Sequence, residues 1–408
     1  MATGLIMEMP AMRSVLGWFN VLLIALLCMA LTPLAQAEPF KPTDDAMVLE
    51  TLPRRDNDAL NARIASLRMQ LNAAPADFKL ASELAERHLS RFRRDSDPRD
   101  LGQAEAAIAP WLRTDNPPAL ALILRASVQQ SNHQFDAALA NLNLAMSKTP
   151  GNPQALLMRA SILQVQGHYA AAKESCGALI FQDTVFAGIC LANVLAVSGQ
   201  PDQATALLQR MLTQAPPEQG IKAWAAASLA EAAASIGQDA QAEAALRSGL
   251  AANPRDAYLK TAMADFLLAQ RRPREVLPLL ADDIRNDNLL LRLAMAEQQL
   301  GSADARAHID DLQARFAAAA ARGDRVHLRE EAMFRLILLN QPEAALQLAQ
   351  ANWQVQKELA DCRILLESAV AAHQPRAAQA ALEWLKTAGL RAPSLLALEQ
   401  QAQLPAGR

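Results

Sequence analysis

A short marker recurs down this chain: a turn residue, an apolar residue (usually Ala) five positions later, then a helical stretch that commonly runs into Pro. It reads His133-Gln134-Phe135-Asp136-Ala137-Ala138, then Gly167-His168-Tyr169-Ala170-Ala171-Ala172. It returns as Gly199-Gln200-Pro201-Asp202-Gln203-Ala204 and Gly237-Gln238-Asp239-Ala240-Gln241-Ala242. Further turn residues stand at Arg271, Gly301, Asn340 and His373, so that successive markers lie 34, 32, 38, 34, 30, 39 and 33 residues apart. A period of this length means stacked helical units, each burying its neighbour's apolar face, rather than one closed core.

Each unit follows one physical logic. A first helix ends where the backbone must turn left-handed, which Gly tolerates freely and Asn or His more readily than most residues. A second helix then starts, and the Ala five positions on lets the two helices approach closely. Apolar residues at helical spacing complete the buried stripe, in the first clear unit Ala138, Leu142, Ala145 and Met146. Pro150 stops that helix and Pro153 permits the next, and Pro216 and Pro254 act in the same way.

These residues resemble the tetratricopeptide repeat. The family's small position corresponds to Ala126, Ala160, Ala192, Ala230 and Ala264; its aromatic after the turn, to Phe135 and Tyr169; its closing proline, to Pro150, Pro216 and Pro254. The likeness is strong over 119–256 and degenerate over 257–402, where the turn and the Ala persist. It departs from the pattern at Thr184, where a closing Pro is expected, and at Pro201, Asp239 and Pro273, where an aromatic is expected. The resemblance implies an all-α fold: a right-handed superhelical solenoid of eight or nine antiparallel helix pairs, with first helices lining a concave groove. Residues 59–118 read as a helical cap or diverged repeat, with one pair near 76–92 and 99–112. Asp304–Arg322 reads as one long Ala-rich helix, and 403–408 as a frayed tail.

The N-terminus carries an address. Arg13 precedes an apolar run, Val15–Leu31, then Pro33 and Ala35-Gln36-Ala37. A basic start, an apolar middle and a small-x-small ending make an export signal, residues 1–37, cleaved after Ala37. The other reading is a retained inner-membrane anchor, since about 17 apolar residues just span a bilayer; the Ala-x-Ala ending and Pro33 favour cleavage. Cys28 lies inside the run without the small residue that precedes a lipidated Cys. Residues 38–58, with Pro39, Pro42 and Pro53, form an extended leader. The expected location is the periplasm, with no membrane contact after cleavage.

Export places Cys176, Cys190 and Cys362 in an oxidising compartment. Cys176 falls late in a second helix and Cys190 early in the next first helix, so that the pair is within reach of a disulfide; the bland reading is two reduced core residues. Closing this loop would stabilise the fold by roughly 3 kcal/mol. Cys362 has no evident mate and reads as core.

No catalytic set emerges, and no metal or cofactor site is expected. There is no Gly-rich phosphate loop, no Gly-x-Ser-x-Gly and no Cys-x-x-Cys. His133, His168 and His373 sit at or beside turns. His327-Leu328-Arg329-Glu330-Glu331 lacks a second His at metal spacing and reads as a solvated helix start. Asp282-Asp283 and Asp310-Asp311 are sequence neighbours, which point apart on a helix. Arg322-Gly323-Asp324 reads as a helix stop. The net charge of −3 supplies no basic field for nucleic acid.

What remains is the groove. The family register places Ser127, Gln130, Ser161, Gln164, Asn193, Trp224, Glu231, Tyr258 and Asp265 on its inner face. Trp and Tyr are the residues most often found as binding hot spots; equally, Trp224 and Tyr258 serve to pack adjacent units. Some family members hold a C-terminal carboxylate with groove Lys, Arg and Asn. Asn193 matches one such place, but the Lys and Arg partners are missing. Trp353 reads as the anchor of a bend. The expectation is a non-enzymatic scaffold that binds a protein or peptide in the cell envelope; the alternatives are a membrane-anchored assembly scaffold and a subunit of an envelope enzyme or export complex.

Overall fold

The computed structural model describes residues 44, 58–214, 218–324, 326–390 and 392–403. The signal, nearly all of the leader, Pro216 and residues 404–408 lie outside the described residues. The chain divides into residues 1–56 and 57–408, and the described helices all belong to the second unit.

Nine helix pairs follow a leading helix α1 (Ala59–Ala73) among the described residues. They are α2 (Phe78–Asp95) with α3 (Arg99–Leu112), α4 (Ala119–Ser131) with α5 (Phe135–Lys148), and α6 (Pro153–Val165) with α7 (Tyr169–Ala178). Next come α8 (Thr184–Ala196) with α9 (Pro201–Gln214), α10 (Gln219–Ser235) with α11 (Asp239–Ala252), and α12 (Ala257–Ala269) with α13 (Pro273–Leu280). The last are α14 (Asp287–Leu300) with α15 (Ala305–Ala321), α16 (Leu328–Met333) with α17 (Pro342–Trp353), and α18 (Leu359–Ala371) with α19 (Gln379–Ala388). Helix α20 (Leu396–Gln403) ends the series. From α1 to α15 each helix packs on the next in sequence, and first helices touch the first helix of the following pair from α2 to α14; α14 reaches the next pair through Phe334–Leu338. That is the contact pattern of an α-solenoid.

The turn markers do what their residue types predict. All eight have positive φ: Gly167, Gly199, Gly237 and Gly301, and also the non-glycines His133, Arg271, Asn340 and His373. At seven of them the next residue's N–H returns to the carbonyl five residues back, as Gln134 does to Gln129 and Gln374 to Ala369, the Schellman closure of a helix end. At Asn340 the bond runs one residue further, from Gln341 to Arg335, because residues Phe334–Leu338 are wound as a π-helix. One residue inserted into a turn of α-helix has this effect.

At seven of the eight markers the residue five positions on is sealed at the helix crossing; the exception is exposed Arg306, after Gly301. Ala138, Ala172, Ala204, Ala242, Val276, Ala345 and Ala378 are 0% exposed. First helices are started by short polar caps: Asn152, Asp183, Asp256 and Asn286 each accept a backbone N–H from the first turn, which satisfies one of the orphan donors there. A continuous apolar core runs through α8 to α16, and a separate one runs through α16 to α20.

The solenoid curls tightly enough to touch itself. The Asn286 side chain donates to Ser96 Oγ at 2.9 Å, 190 residues earlier, roughly five to six 34-residue units away. The Lys357 N–H donates to Val165 O at 2.7 Å, and Val355 packs on the apolar cluster of α4–α6. Trp384 Nε1 donates to the Tyr169 hydroxyl at 2.9 Å. Gly199 approaches so closely that a Cβ there would stand 2.6 Å from Ala388 O. At Ser96, Val165 and Gly199 the turn between the two helices of an early pair meets a loop or helix end of a later pair, while Trp384 reaches Tyr169 from within α19.

Candidate functional site

First helices stand side by side, and polar bonds step from one to the next along the stripe that the repeat register assigns to the inner face. Gln130 on α4 donates to Ser161 on α6 at 3.4 Å. The Tyr258 hydroxyl on α12 donates to Glu231 on α10. Asp265 on α12 receives Arg292 on α14 through two bonds, 2.9 and 3.0 Å. Arg329 on α16 reaches Glu358 and Asp361 at the start of α18 at 3.0 and 3.3 Å.

The predicted residues divide three ways. Ser127 does not face a partner: it is buried, and its hydroxyl donates to Ile123 O one helical turn back. Trp224 packs against the core, with its ring centroid 6.0 Å from that of Phe186 on the preceding first helix, which is the packing role. Asp265 is committed to Arg292. Ser161, Glu231 and Tyr258 are exposed, Tyr258 at 58%, while Gln130, Gln164 and Asn193 are half-buried. The two aromatic candidates thus differ: Trp224 packs on the core and Tyr258 is exposed.

The environment of the Glu231–Tyr258 pair is unusual. Both side chains meet water, yet walls stand close around them. Removal from bulk water pushes the Glu231 carboxyl up to about 7; the Tyr258 hydroxyl opposes that and Glu358 adds to it. The same enclosure, with Glu231 beside it, holds the Tyr258 phenol well above its ordinary value. Glu358 and Arg329 act on both groups from α16–α18, so the late pairs border this part of the stripe.

Arg292, Arg329, Glu330, Glu358 and Asp361 were not predicted for the stripe. Arg292 is 4% exposed and receives its compensation from Asp265. Burial alone would raise Glu330, but Arg329 and Arg292 hold its carboxyl down at about 2. The signal that finds them is the unit register carried past Asp265, through a stretch where the spacing has drifted.

Cys176 and Cys190 form a disulfide across α7 and α8, with Cα atoms 5.5 Å apart. Cys190 sits mid-helix rather than at the helix start. Cys362 is free and buried. Trp353 anchors its bend edge-on to Trp384, with centroids 5.4 Å apart. No group of three metal-ligating side chains occurs among the described residues, and no helix there is long and apolar enough to cross a membrane.

A family model described as "Tetratricopeptide repeat" matches residues 195–266, the segment from the end of α8 to α12. That segment matches the tetratricopeptide repeat. Among solved structures it is similar to a tetratricopeptide repeat protein from Parabacteroides merdae at 15% identity, over 71% of this chain and 98% of that one, with a TM-score of 0.35. It is also similar to the APC/C hetero-tetramer Cut9-Hcn1 at 13% identity, over 84% and 86% of the two chains, with a TM-score of 0.40. Superpositions this loose say nothing of ligand or partner. No curated protein matches the chain. Tetratricopeptide solenoids serve generally as scaffolds for protein–protein contacts.

Proposed function

We propose that this tetratricopeptide solenoid is a non-enzymatic scaffold, exported to the periplasm of a Gram-negative cell, that holds a protein or peptide segment on its concave stripe. The observation that carries the reading is Tyr258: a large aromatic side chain 58% exposed on the inner face, beside an exposed carboxylate. An aromatic ring with a polar tip supplies contact area at small entropic cost, because two torsions fix it. A concave surface built on packed helices is also pre-formed, so that little ordering is lost on binding. Export is supported by the Cys176–Cys190 disulfide, since such bridges persist in oxidising compartments, and by the signal-like residues 1–37.

The test is site-specific photocrosslinking in intact cells. A crosslinker at position 258 is expected to capture a partner identifiable by mass spectrometry, and one at Ser147 on the outer helix α5 to capture none. Capture from Ser147 alone would sink the groove reading. The mature N-terminus is expected at Glu38, and a retained Met start would replace export by anchoring.

A further inference from the structure

In a repeat stack each unit is sustained by its sequence neighbours alone. The bonds between early and late pairs are therefore additional to what folds the chain. They form a clasp. Within the late arm the helices share one apolar core, and the early arm is held by successive smaller apolar clusters over α4–α6 and α6–α8. Across the clasp stand single polar bonds, Lys357 to Val165, Trp384 to Tyr169 and Asn286 to Ser96, together with one apolar anchor, Val355. Val165 O belongs to the last turn of α6, whose carbonyls have no helical donor ahead of them, and the Lys357 N–H supplies one.

The clasp has a geometric consequence. The solenoid's inner face is open along its side only where successive superhelical turns stand apart. Here the turns of the pairs at Ser96, Val165–Tyr169, Gly199 and Gly237 all abut late loops; at Gly237 the neighbour is Pro393, 3.6 Å from where a Cβ would stand. Glu358, next to the clasp donor Lys357, acts on both Glu231 and Tyr258, so the stripe that holds them lies near that seam.

We propose that the concave stripe is a gated lumen, which a macromolecular segment enters from the side only when the clasp between residues 165–169 and residues 355–384 parts. Small solutes pass without opening, since Tyr258 is accessible to water. Parting the clasp separates two already folded arms and unfolds no unit. The raised carboxyl of Glu231, caused by enclosure and by Glu358 across the seam, agrees with a narrow lumen. The proposal rests on the concave stripe being the binding surface, but its test measures access rather than capture, so the two fail separately.

The test uses the full chain with Tyr258→Cys as the inner probe and Ser147→Cys as the outer control. Each is labelled with a small methanethiosulfonate and with a maleimide on a long polyethylene glycol chain. In the intact clasp the small reagent is expected to modify both positions readily, and the bulky one to modify position 258 far more slowly than 147. Trp384→Phe removes one clasp donor and Val355→Ser removes the apolar anchor. Each is expected to speed bulky labelling at 258 by roughly five- to tenfold, the population shift expected from losing about one hydrogen bond, with 147 unchanged. Buried Cys362 monitors folding in every sample; if one clasp variant exposes it, the other decides. Bulky labelling of 258 as fast as 147 in the intact clasp would overturn the gate. So would clasp variants that leave the bulky rate at 258 unmoved.

Discussion

Units 119–256 and units 257–403 perform the same turn by different chemical means. In the first stretch three of the four turn markers are glycines, and the first helices meet through small residues: Ala126, Ala160, Ala192 and Ala230 are at most 3% exposed. In the second stretch three of the four markers are Arg, Asn and His held at positive φ, a conformation in which a Cβ crowds the backbone. There the first helices are tied by charge, Asp265 to Arg292 and Arg329 to Glu358 and Asp361. The fold is constant and its support is not. Backbone geometry is set by hydrogen-bonded closure of each helix end, and that closure tolerates any residue whose local strain the stack can hold.

The largest expected effect strikes the charged ties. Asp265→Ala leaves Arg292, 4% exposed, without its hydrogen-bonded partner, although the attraction of Glu330 remains; because Asp265 is itself 43% exposed, screening brings the cost below that of a fully buried pair, to about 2 kcal/mol. Gln130→Ala, at the corresponding tie in the regular stretch, removes a neutral bond of 3.4 Å and stays within about 0.5 kcal/mol. Urea unfolding followed by tryptophan fluorescence, which Trp111 and Trp224 report from the early units and Trp353 and Trp384 from the late ones, measures both costs. Equal costs for the two substitutions would break the contrast between regions.

A smaller effect, of opposite sign, is expected at the strained turns. Arg271 has φ +56° and is exposed. Arg271→Gly relieves the Cβ contact and should stabilise the chain by about 1 kcal/mol. His133→Gly relieves the same strain but loses a ring stacked on Phe135, with centroids 5.4 Å apart, so a smaller gain is expected there. Thermal melts of the two variants sharpen the comparison, because they separate the strain of the turn from the contacts of the side chain that bears it.

The difference between regions also governs how much of the molecule is legible in its sequence. The marker turns, the sealed Ala and the helix pairs are legible through the degenerate half, since loss of the family consensus does not change where a helix must stop. The disulfide is legible because position within a unit places Cys176 and Cys190 on facing helices. The groove is legible only as a set of candidates. Register alone puts Ser127 and Trp224 on the same face as Tyr258, yet Ser127 turns back to its own helix and Trp224 sinks against Phe186. Which groove residue stays free depends on its neighbour's size, which periodicity does not carry. Self-contact is not legible at all. A seam between residues 190 apart depends on curvature summed over many units, and small offsets such as the π-helix at Phe334–Leu338 enter that sum without leaving a mark in the repeat.

The smallest expected effect tests whether the stripe is enclosed. Glu231 has its carboxyl raised to about 7, first by loss of bulk water and then by Glu358, against the Tyr258 hydrogen bond. Below about pH 4.5 the carboxyl is protonated both folded and unfolded, and contributes nothing to the difference. As pH rises toward 7 the unfolded chain releases the proton while the folded chain retains it, so stability falls across that window and the full penalty stands above it. Glu231→Gln cannot ionise and still accepts from Tyr258. It should match the wild type near pH 4 and exceed it at pH 8. Because Glu231 is exposed to water, screening keeps the gain below about 1 kcal/mol. Paired denaturation curves at the two pH values measure it. A gain that is the same at both would assign the effect to packing. In a Glu358→Gln background the gain at pH 8 is expected to shrink, because the repulsion across the seam is gone; a gain that grew there would contradict that repulsion.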